Sequence, residues 1–223
     1  MQYLYHPEAG AAMLFLEGED HHYLFRVRRV RQGERVALRS LTDSLLHRYT
    51  VARIDRKRAQ LVHSASEERA VLPARSLHIG WCLIDPKRIE KVLPMLNETG
   101  VERITFFPCA RSQKNFRLDL ERMKKILLVS MQQCGRTTWM QLDEMPTLSA
   151  FVSNHPEAYL LHFSDRLLPN DAADAMTVII GCEGGFTDEE IALAAPNRIV
   201  GLNTSLILRS ESAAVAVASK ILV

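Results

Sequence analysis

The sequence has 223 residues, 47% hydrophobic and 24% charged, enough to bury one sizeable core and a smaller second one, and too apolar for a disordered chain. Its N-terminus, Met1-Gln2-Tyr3-Leu4-Tyr5-His6-Pro7, lacks the basic-then-apolar order of a secretory signal, and no apolar run approaches the roughly 20 residues that span a bilayer, so a cytosolic protein is expected. Net charge is only +2 but unevenly spread: residues 24–58 hold eleven Lys/Arg against Glu34, Asp43 and Asp55, leaving 17 basic and 23 acidic residues elsewhere, which points to a polyanion partner for the N-terminal part. Cys82, Cys109, Cys134 and Cys182 lie far apart with no C-x-x-C pair. That spacing argues against a zinc site or a dense disulfide framework and predicts reduced, mostly buried thiols.

Residues 1–63 carry short strand-like runs at 35–38, 48–54 and 59–62, separated by Gly33, by Thr42-Asp43-Ser44 and by Asp55-Arg56-Lys57. Only residues 20–28 look helical there, so a small, mostly β domain is expected. Residues 64–75 are polar and charged and are predicted to be a linker. Beyond it strands alternate with helices: a strand at 77–83, a helix at 86–99 opened by Pro86 and stopped by Gly100, a strand at 104–107, and an amphipathic helix at 119–134 with Leu120, Met123, Leu127 and Met131 at helical spacing. Strands at 158–162, 177–181 and 198–202 and a small-residue helix at about 210–222 complete a mainly parallel α/β domain.

Two segments carry the chemistry. In Gly181-Cys182-Glu183-Gly184-Gly185-Phe186-Thr187-Asp188-Glu189-Glu190 a hydrophobic strand runs into a glycine-rich turn, and Thr187 with Glu190 forms a capping box for the helix that follows. Gly184 and Gly185 let a ligand approach the backbone; the bland alternative is a tight turn before a well-capped helix. The three acids at the helix start repel phosphate and no Lys-Ser/Thr pair is present, which disfavours a P-loop. A nucleophile elbow would put its nucleophile at position 183, which is Glu. The turn is not G-x-G-x-x-G either, so a neutral or cationic nucleoside fits better than a pyrophosphate. In the second segment, residues 200–214, Arg209 and Glu211 precede a helix rich in Ala213, Ala214, Ala216 and Ala218. The two charges read either as a surface ion pair favourable to a helix N-terminus or as catalytic groups beside a ligand loop.

These residues carry a resemblance to the RsmE family of ribosomal RNA uridine-N3 methyltransferases, of the SPOUT class. His22-Tyr23-Leu24-Phe25-Arg26-Val27-Arg28-Arg29 followed by Gly33-Glu34-Arg35-Val36 resembles the family's H-x-x-x-V-L-R…G. Asn97-Glu98-Thr99-Gly100-Val101 resembles T-E-L-G-V, Ala110-Arg111-Ser112 resembles R-S, and Gln133-Cys134-Gly135-Arg136 resembles the E-Q-S-x-R region. The most specific matches are Gly181-Cys182-Glu183-Gly184-Gly185-Phe186 to G-P-E-G-G-F and Ile207-Leu208-Arg209-Ser210-Glu211-Ser212-Ala213 to I-L-R-x-E-T-A. The chain departs from the family at Met95, Gln132, Cys134, Cys182 and Leu206.

The resemblance implies a small PUA-like RNA-binding β-barrel at 1–68 and a SPOUT-type α/β methyltransferase domain with a C-terminal trefoil knot at 74–223. It implies S-adenosylmethionine bound by Leu161, His162, Gly181, Glu183, Gly184, Gly185, Gly201, Leu202, Ile207 and Leu208, no metal, and a homodimer whose interface the helices at 119–134 and 210–222 would supply. Uracil N3 carries a proton and is a poor nucleophile. Arg209 or Arg136 is expected to stabilise charge on the uracil carbonyls, with Glu211 the candidate proton acceptor. Arg26, Arg28, Arg29 and Arg111 are the expected RNA contacts; arginine outnumbers lysine ten to one in the basic window, and its planar donors suit phosphate and base edges. His21 and His22, with no matching ligands, read as structural. Ribose or guanine methylation by a related SPOUT enzyme, and a non-catalytic RNA-binding protein, stay open as alternatives.

Overall fold

The computed structural model describes residues 2–113, 115–169 and 175–223. The chain divides into two compact units: Met1–Leu72 with Leu128–Thr138, and Pro73–Leu127 with Trp139–Val223.

The first unit is a five-stranded sheet built from β1 (Leu4–Tyr5), β2 (Met13–Glu17), β3 (Arg35–Arg39), β4 (Leu45–Ile54) and β5 (Arg58–Glu68), in the order β1-β3-β4-β5-β2, with β1 and β2 at its edges. All pairings are antiparallel except β1 with β3. Alternation places Leu14, Leu16, Tyr49, Val51 and Leu61 in one buried cluster. Between β2 and β3 the chain forms the short helix α1 (Gly18–His21) and a wide π-type turn, His22–Val27. The linker expected at 64–75 begins later than its polarity implies, because residues up to Glu68 extend β5 opposite β4. Exposed on both sides there, the strand shows no hydrophobic alternation. Tyr49 is the pivot of the unit: its hydroxyl donates to Ala11 O at 2.8 Å and accepts from Gly10 N at 2.8 Å. Arg39 is fully buried and donates to the carbonyls of Ser44 and Arg69, which offsets only part of its desolvation, since Nε is buried without a partner.

The second unit is a six-stranded, wholly parallel sheet of β6 (Ser76–Cys82), β7 (Arg103–Phe107), β8 (Gln141–Glu144), β9 (Tyr159–Leu161), β10 (Ala175–Ile180) and β11 (Ile199–Val200), in the order β11-β9-β10-β6-β7-β8. Its helices are α2 (Pro86–Thr99), α3 (Leu120–Cys134, whose last turns belong to the first unit), α4 (Leu148–Asn154), α5 (Asp188–Ile191) and α6 (Ser210–Leu222). Asp85 caps α2 by accepting from Lys87 N at 2.9 Å, and Gly100, at φ 104°, ends it. Trp81, Phe106, Phe107 and Phe151 fill the core. At Gly80 a Cβ would meet the Phe151 ring at 2.5 Å, so this strand position admits only glycine against α4. The small residues of α6 serve this core: Ala213, Ala214, Val217 and Ala218 are buried where α6 packs on α2, β6 and β10. That face is consumed within the chain.

The cysteine expectation needs correction. Cys82 and Cys109 form a disulfide with a Cα–Cα distance of 5.7 Å, while Cys134 and the buried Cys182 are free thiols. Parallel register sets Cys82 opposite Phe107, so Cys109, two residues beyond, arrives beside it. A separation of 27 residues conceals that proximity in the sequence.

Candidate active site

β6, β7 and β8 follow one another outward in one direction, whereas β9, β10 and β11 occupy the other half of the sheet. Such a reversal leaves a crevice beyond the carboxyl ends of the strands. Here it opens into a cavity of about 770 Å³ lined by residues 161–165, 180–186, 201–202 and 204–210, a size typical of small-molecule sites.

Each wall has a local cause. β10 ends in the glycine-rich turn, closed by Gly185 N donating to Cys182 O at 3.0 Å, with Gly185 at φ 69°, a left-handed conformation that disfavours a side chain. The turn leads into α5 through the anticipated capping box: Glu190 N donates to Thr187 Oγ1 at 3.3 Å and Thr187 N to Glu190 Oε2 at 3.0 Å. The other carboxylate oxygen of Glu190 accepts from Ala110 N at 2.7 Å. Arg111 crosses the same turn, its Nη1 donating to Gly184 O at 2.8 Å and Phe186 O at 3.1 Å. The third wall is stitched to the first: His162 N donates to Val200 O, and Gly201 N to Arg166 O, both at 2.8 Å. A Cβ at Gly201 would run into the Ser164 carbonyl. At the head of α6, Trp81 Nε1 donates to Ser210 Oγ at 2.8 Å, and Ser210 Oγ donates to Gly181 O at 2.5 Å.

All ten expected cofactor residues, Leu161, His162, Gly181, Glu183, Gly184, Gly185, Gly201, Leu202, Ile207 and Leu208, line this one cavity. Arg209 borders both it and an adjoining cleft of about 540 Å³ that also takes in Arg88, Lys91, Ile207, Leu208 and Glu211. The surface Arg209–Glu211 pair is replaced by another arrangement. Glu211 is only 14% exposed, and its Oε1 lies 3.8 Å from Arg88 Nη1, which also reaches Glu183 Oε1 at 3.3 Å. Glu211 Oε2 is buried without a hydrogen-bond partner.

Arg136 is not brought to either cavity. It is buried within the first unit, where Nε donates to Thr138 O at 2.8 Å and its carbonyl accepts from Tyr3 Oη at 2.7 Å; the expected charge-stabilising role finds no support in that placement. Arg111, expected on RNA, is engaged in bracing the glycine turn. Arg26, Arg28 and Arg29 are exposed at the end of the π-type turn, Arg29 at φ 57°, and Arg26 borders a cavity of about 270 Å³ with His21, Phe25 and Arg56. His21 is structural, its Nε2 lying 3.1 Å from Asp55 O. Sequence reasoning missed Arg88, Trp81 and Ser210. Trp81 and Ser210 meet across 129 residues, and Arg88 reads as an ordinary charge in the first turn of a helix.

Comparisons with known proteins identify the fold and the family. An RNA methyltransferase domain model matches residues 71–222, and an RNA methyltransferase PUA domain model matches 16–62. Ribosomal RNA small subunit methyltransferase E proteins from two strains of Helicobacter pylori are 37% and 36% identical over 222 residues, spanning 98% of this chain and of theirs. A methyltransferase of Legionella pneumophila, solved with the cofactor SAM, superposes with a TM-score of 0.78 at 26% identity over 98% of this chain and 95% of that one. A ribosomal RNA small subunit methyltransferase E from Neisseria gonorrhoeae, bound to S-adenosyl methionine, has the same fold, with a TM-score of 0.79 at 19% identity over the same shares. With its two units matched by both domain models and its whole length matched by full-length relatives, the chain belongs to the ribosomal RNA small subunit methyltransferase E family.

Proposed function

We propose that this chain transfers the methyl group of S-adenosylmethionine to N3 of a uridine in small-subunit (16S) ribosomal RNA. The observation that carries the reading is the convergence of three loops from the β9, β10 and β11 ends on one cavity, which opens beside a cleft holding a guanidinium and a buried carboxylate.

The residues present fit the cofactor. The glycine turn offers backbone without side chains, apolar Leu161, Leu202 and Leu208 suit an adenine ring, and Glu183 supplies negative charge for a cationic sulfonium. When bound, S-adenosylmethionine supplies an electrophilic methyl and departs as a neutral thioether. The chain's own part is to make N3 nucleophilic. Glu211, which lines the cleft, accepts the N3 proton, and Arg209 at the mouth stabilises the charge that builds on the uracil carbonyl oxygens.

The reading assigns RNA contact to residues 1–68, with Arg26, Arg28 and Arg29 on phosphates, and methyl transfer to 74–223. It includes a C-terminal trefoil knot, as the family resemblance implies. It includes a cytoplasmic homodimer as well, supported by apolar side chains left exposed at the cavity mouth, Phe163 at 74% and Ile207 at 81%. Among the described residues no helix is long and apolar enough to cross a membrane.

Calorimetric titration with S-adenosylmethionine and its demethylated product tests the cofactor, comparing wild type with Gly185→Trp; saturable binding lost in the variant is expected. Mass spectrometry of nucleosides from ribosomal RNA incubated with enzyme and cofactor then identifies the product. Methylation at ribose or guanine in place of uridine N3 would overturn the specificity, and no cofactor binding by folded wild type would overturn the reading entirely.

A further inference from the structure

Arg88 belongs to neither of the two motifs that line the cofactor cavity, yet it joins them. It sits in the first turn of α2, which Asp85 caps, and its Nη1 lies 3.3 Å from Glu183 of the glycine turn and 3.8 Å from Glu211 at the head of α6. The side chains of Arg88 and Glu183 are each 42% exposed, so the ion pair contributes little to stability. Its geometry has a different consequence. One guanidinium nitrogen faces two carboxylates, one lining the cofactor cavity and the other lining the adjoining cleft. Without that cation the two carboxylates would face each other as like charges. With Oε1 turned to Arg88, Glu211 is left with its second oxygen unpartnered, an arrangement that costs free energy until a donor arrives.

We propose that Arg88 is a positioning residue that clamps Glu183 and Glu211 together, so that occupancy of the cofactor cavity and readiness of the cleft to receive an N–H-bearing pyrimidine are set by the same side chain. The inference rests on the function proposed above and adds to it a coupling between the two sites. Glu183 lines the cofactor cavity, so a cation held there would share this carboxylate with Arg88, whose Nη1 also faces Oε1 of Glu211. Arg88 touches neither the methyl nor N3; it acts through the two acids.

The test compares Arg88→Met, which keeps the length without the charge, and Arg88→Lys with wild type. Cofactor affinity is read by calorimetry in the absence of RNA, and kcat and KM are read on ribosomal RNA. Arg122→Met, which removes the exposed pair of the Arg122 side chain with Glu90 at 2.8 Å, serves as the control. Arg88→Met is expected to fold with a lowered melting temperature, since the largely buried Glu211 loses its counter-charge, to lose at least tenfold in kcat with KM for RNA little changed, and to be partly rescued by Arg88→Lys. In the Glu211→Gln background the same replacement is expected to have little further effect on kcat, since the group it positions is gone. Wild-type kcat in Arg88→Met, or effects of Arg88→Met and Glu211→Gln that simply multiply, would overturn the clamp while leaving the methyltransferase reading intact. Wild type that neither binds the cofactor nor methylates RNA would instead overturn the function on which the clamp depends.

Discussion

Glu211 combines a buried, unpartnered oxygen with a place beside the proposed cofactor cavity. A carboxylate oxygen closed off from solvent without a donor is costly in a protein interior, because desolvation is not repaid by a hydrogen bond. In Glu211 that oxygen is Oε2, at the head of α6 and in a residue that lines the cleft beside the cofactor cavity. Glu211→Gln keeps the shape and removes the basicity; turnover should fall by roughly 10²- to 10⁴-fold while S-adenosylmethionine affinity stays near wild type, as single-turnover kinetics and calorimetry would reveal. Unchanged turnover would remove Glu211 from the mechanism. Gly201 makes a complementary point about backbone. Its Cβ position is occupied by the Ser164 carbonyl, itself part of the loop that walls the cavity. Gly201→Ala must push that loop outward at a cost of about 1–3 kcal/mol, and the loss should appear both in thermal melts and as weakened cofactor binding. A variant that melts lower yet binds normally would mean that the loop can shift without reshaping the cavity.

At the scale of elements, the long periodic helices and most strands were legible, and two short elements were not. Pro86–Thr99 and Ser210–Leu222 match the helices expected from Pro86, Gly100 and the small-residue run, because caps and spacing are local signals. β8 and α4 were missed: Gln141–Glu144 is a polar edge strand, and α4 has only seven residues, too short for a 3.6-residue period to stand out. The glycine turn and its capping box could be read in sequence because glycine and capping residues act on their own backbone. Arg88 and the Trp81–Ser210–Gly181 relay could not, since each depends on elements brought together by sheet order. β6 holds a further consequence of this kind. His78 donates to or accepts from Thr105 Oγ1 at 2.8 Å and stacks edge-on with Phe151 and His155. Burial, aided by His155 and Arg103, pushes its pKa down to about 4. The unfolded chain binds this proton near pH 6.5 and the folded one does not until about pH 4. The stabilisation is therefore complete above about pH 6.5 and declines as pH falls towards 4. Denaturant midpoints between those limits should show the decline, and His78→Gln, which can still bond Thr105, should flatten it. At about 1.4 kcal/mol per pKa unit, the change is at most on the order of 3 kcal/mol; equal slopes in both proteins would assign the acid sensitivity elsewhere.

For the whole molecule, the division of labour between the two units is itself testable, because each carries a different kind of signal. The second unit contains the entire cavity proposed for the cofactor and its adjoining cleft, so cofactor affinity should be indifferent to the surface of the first. The first unit contributes the basic window, and within it Arg26, Arg28 and Arg29 project from the end of the π-type turn without engagement in any ion pair among the described residues. Their charge is solvated in the free protein, so a polyanion can be gripped there without first breaking protein contacts. Binding to ribosomal RNA through phosphates must release counterions, and affinity should fall steeply with salt. Replacing all three arginines by alanine should weaken RNA binding across sequences and make the slope of log K against log salt less negative by about 2–3 units, roughly one per lost phosphate contact. Raised KM for RNA with kcat nearly retained should accompany it, because the groups proposed to react lie in the second unit. Should the salt slope stay at its wild-type value, the arginines would be an ordinary solvated surface, and RNA would have to be held by other cations of the basic window, such as Arg53, Arg56 or Lys57 on the β4–β5 hairpin. A fall in S-adenosylmethionine affinity in the same triple variant would contradict the independence of the two units.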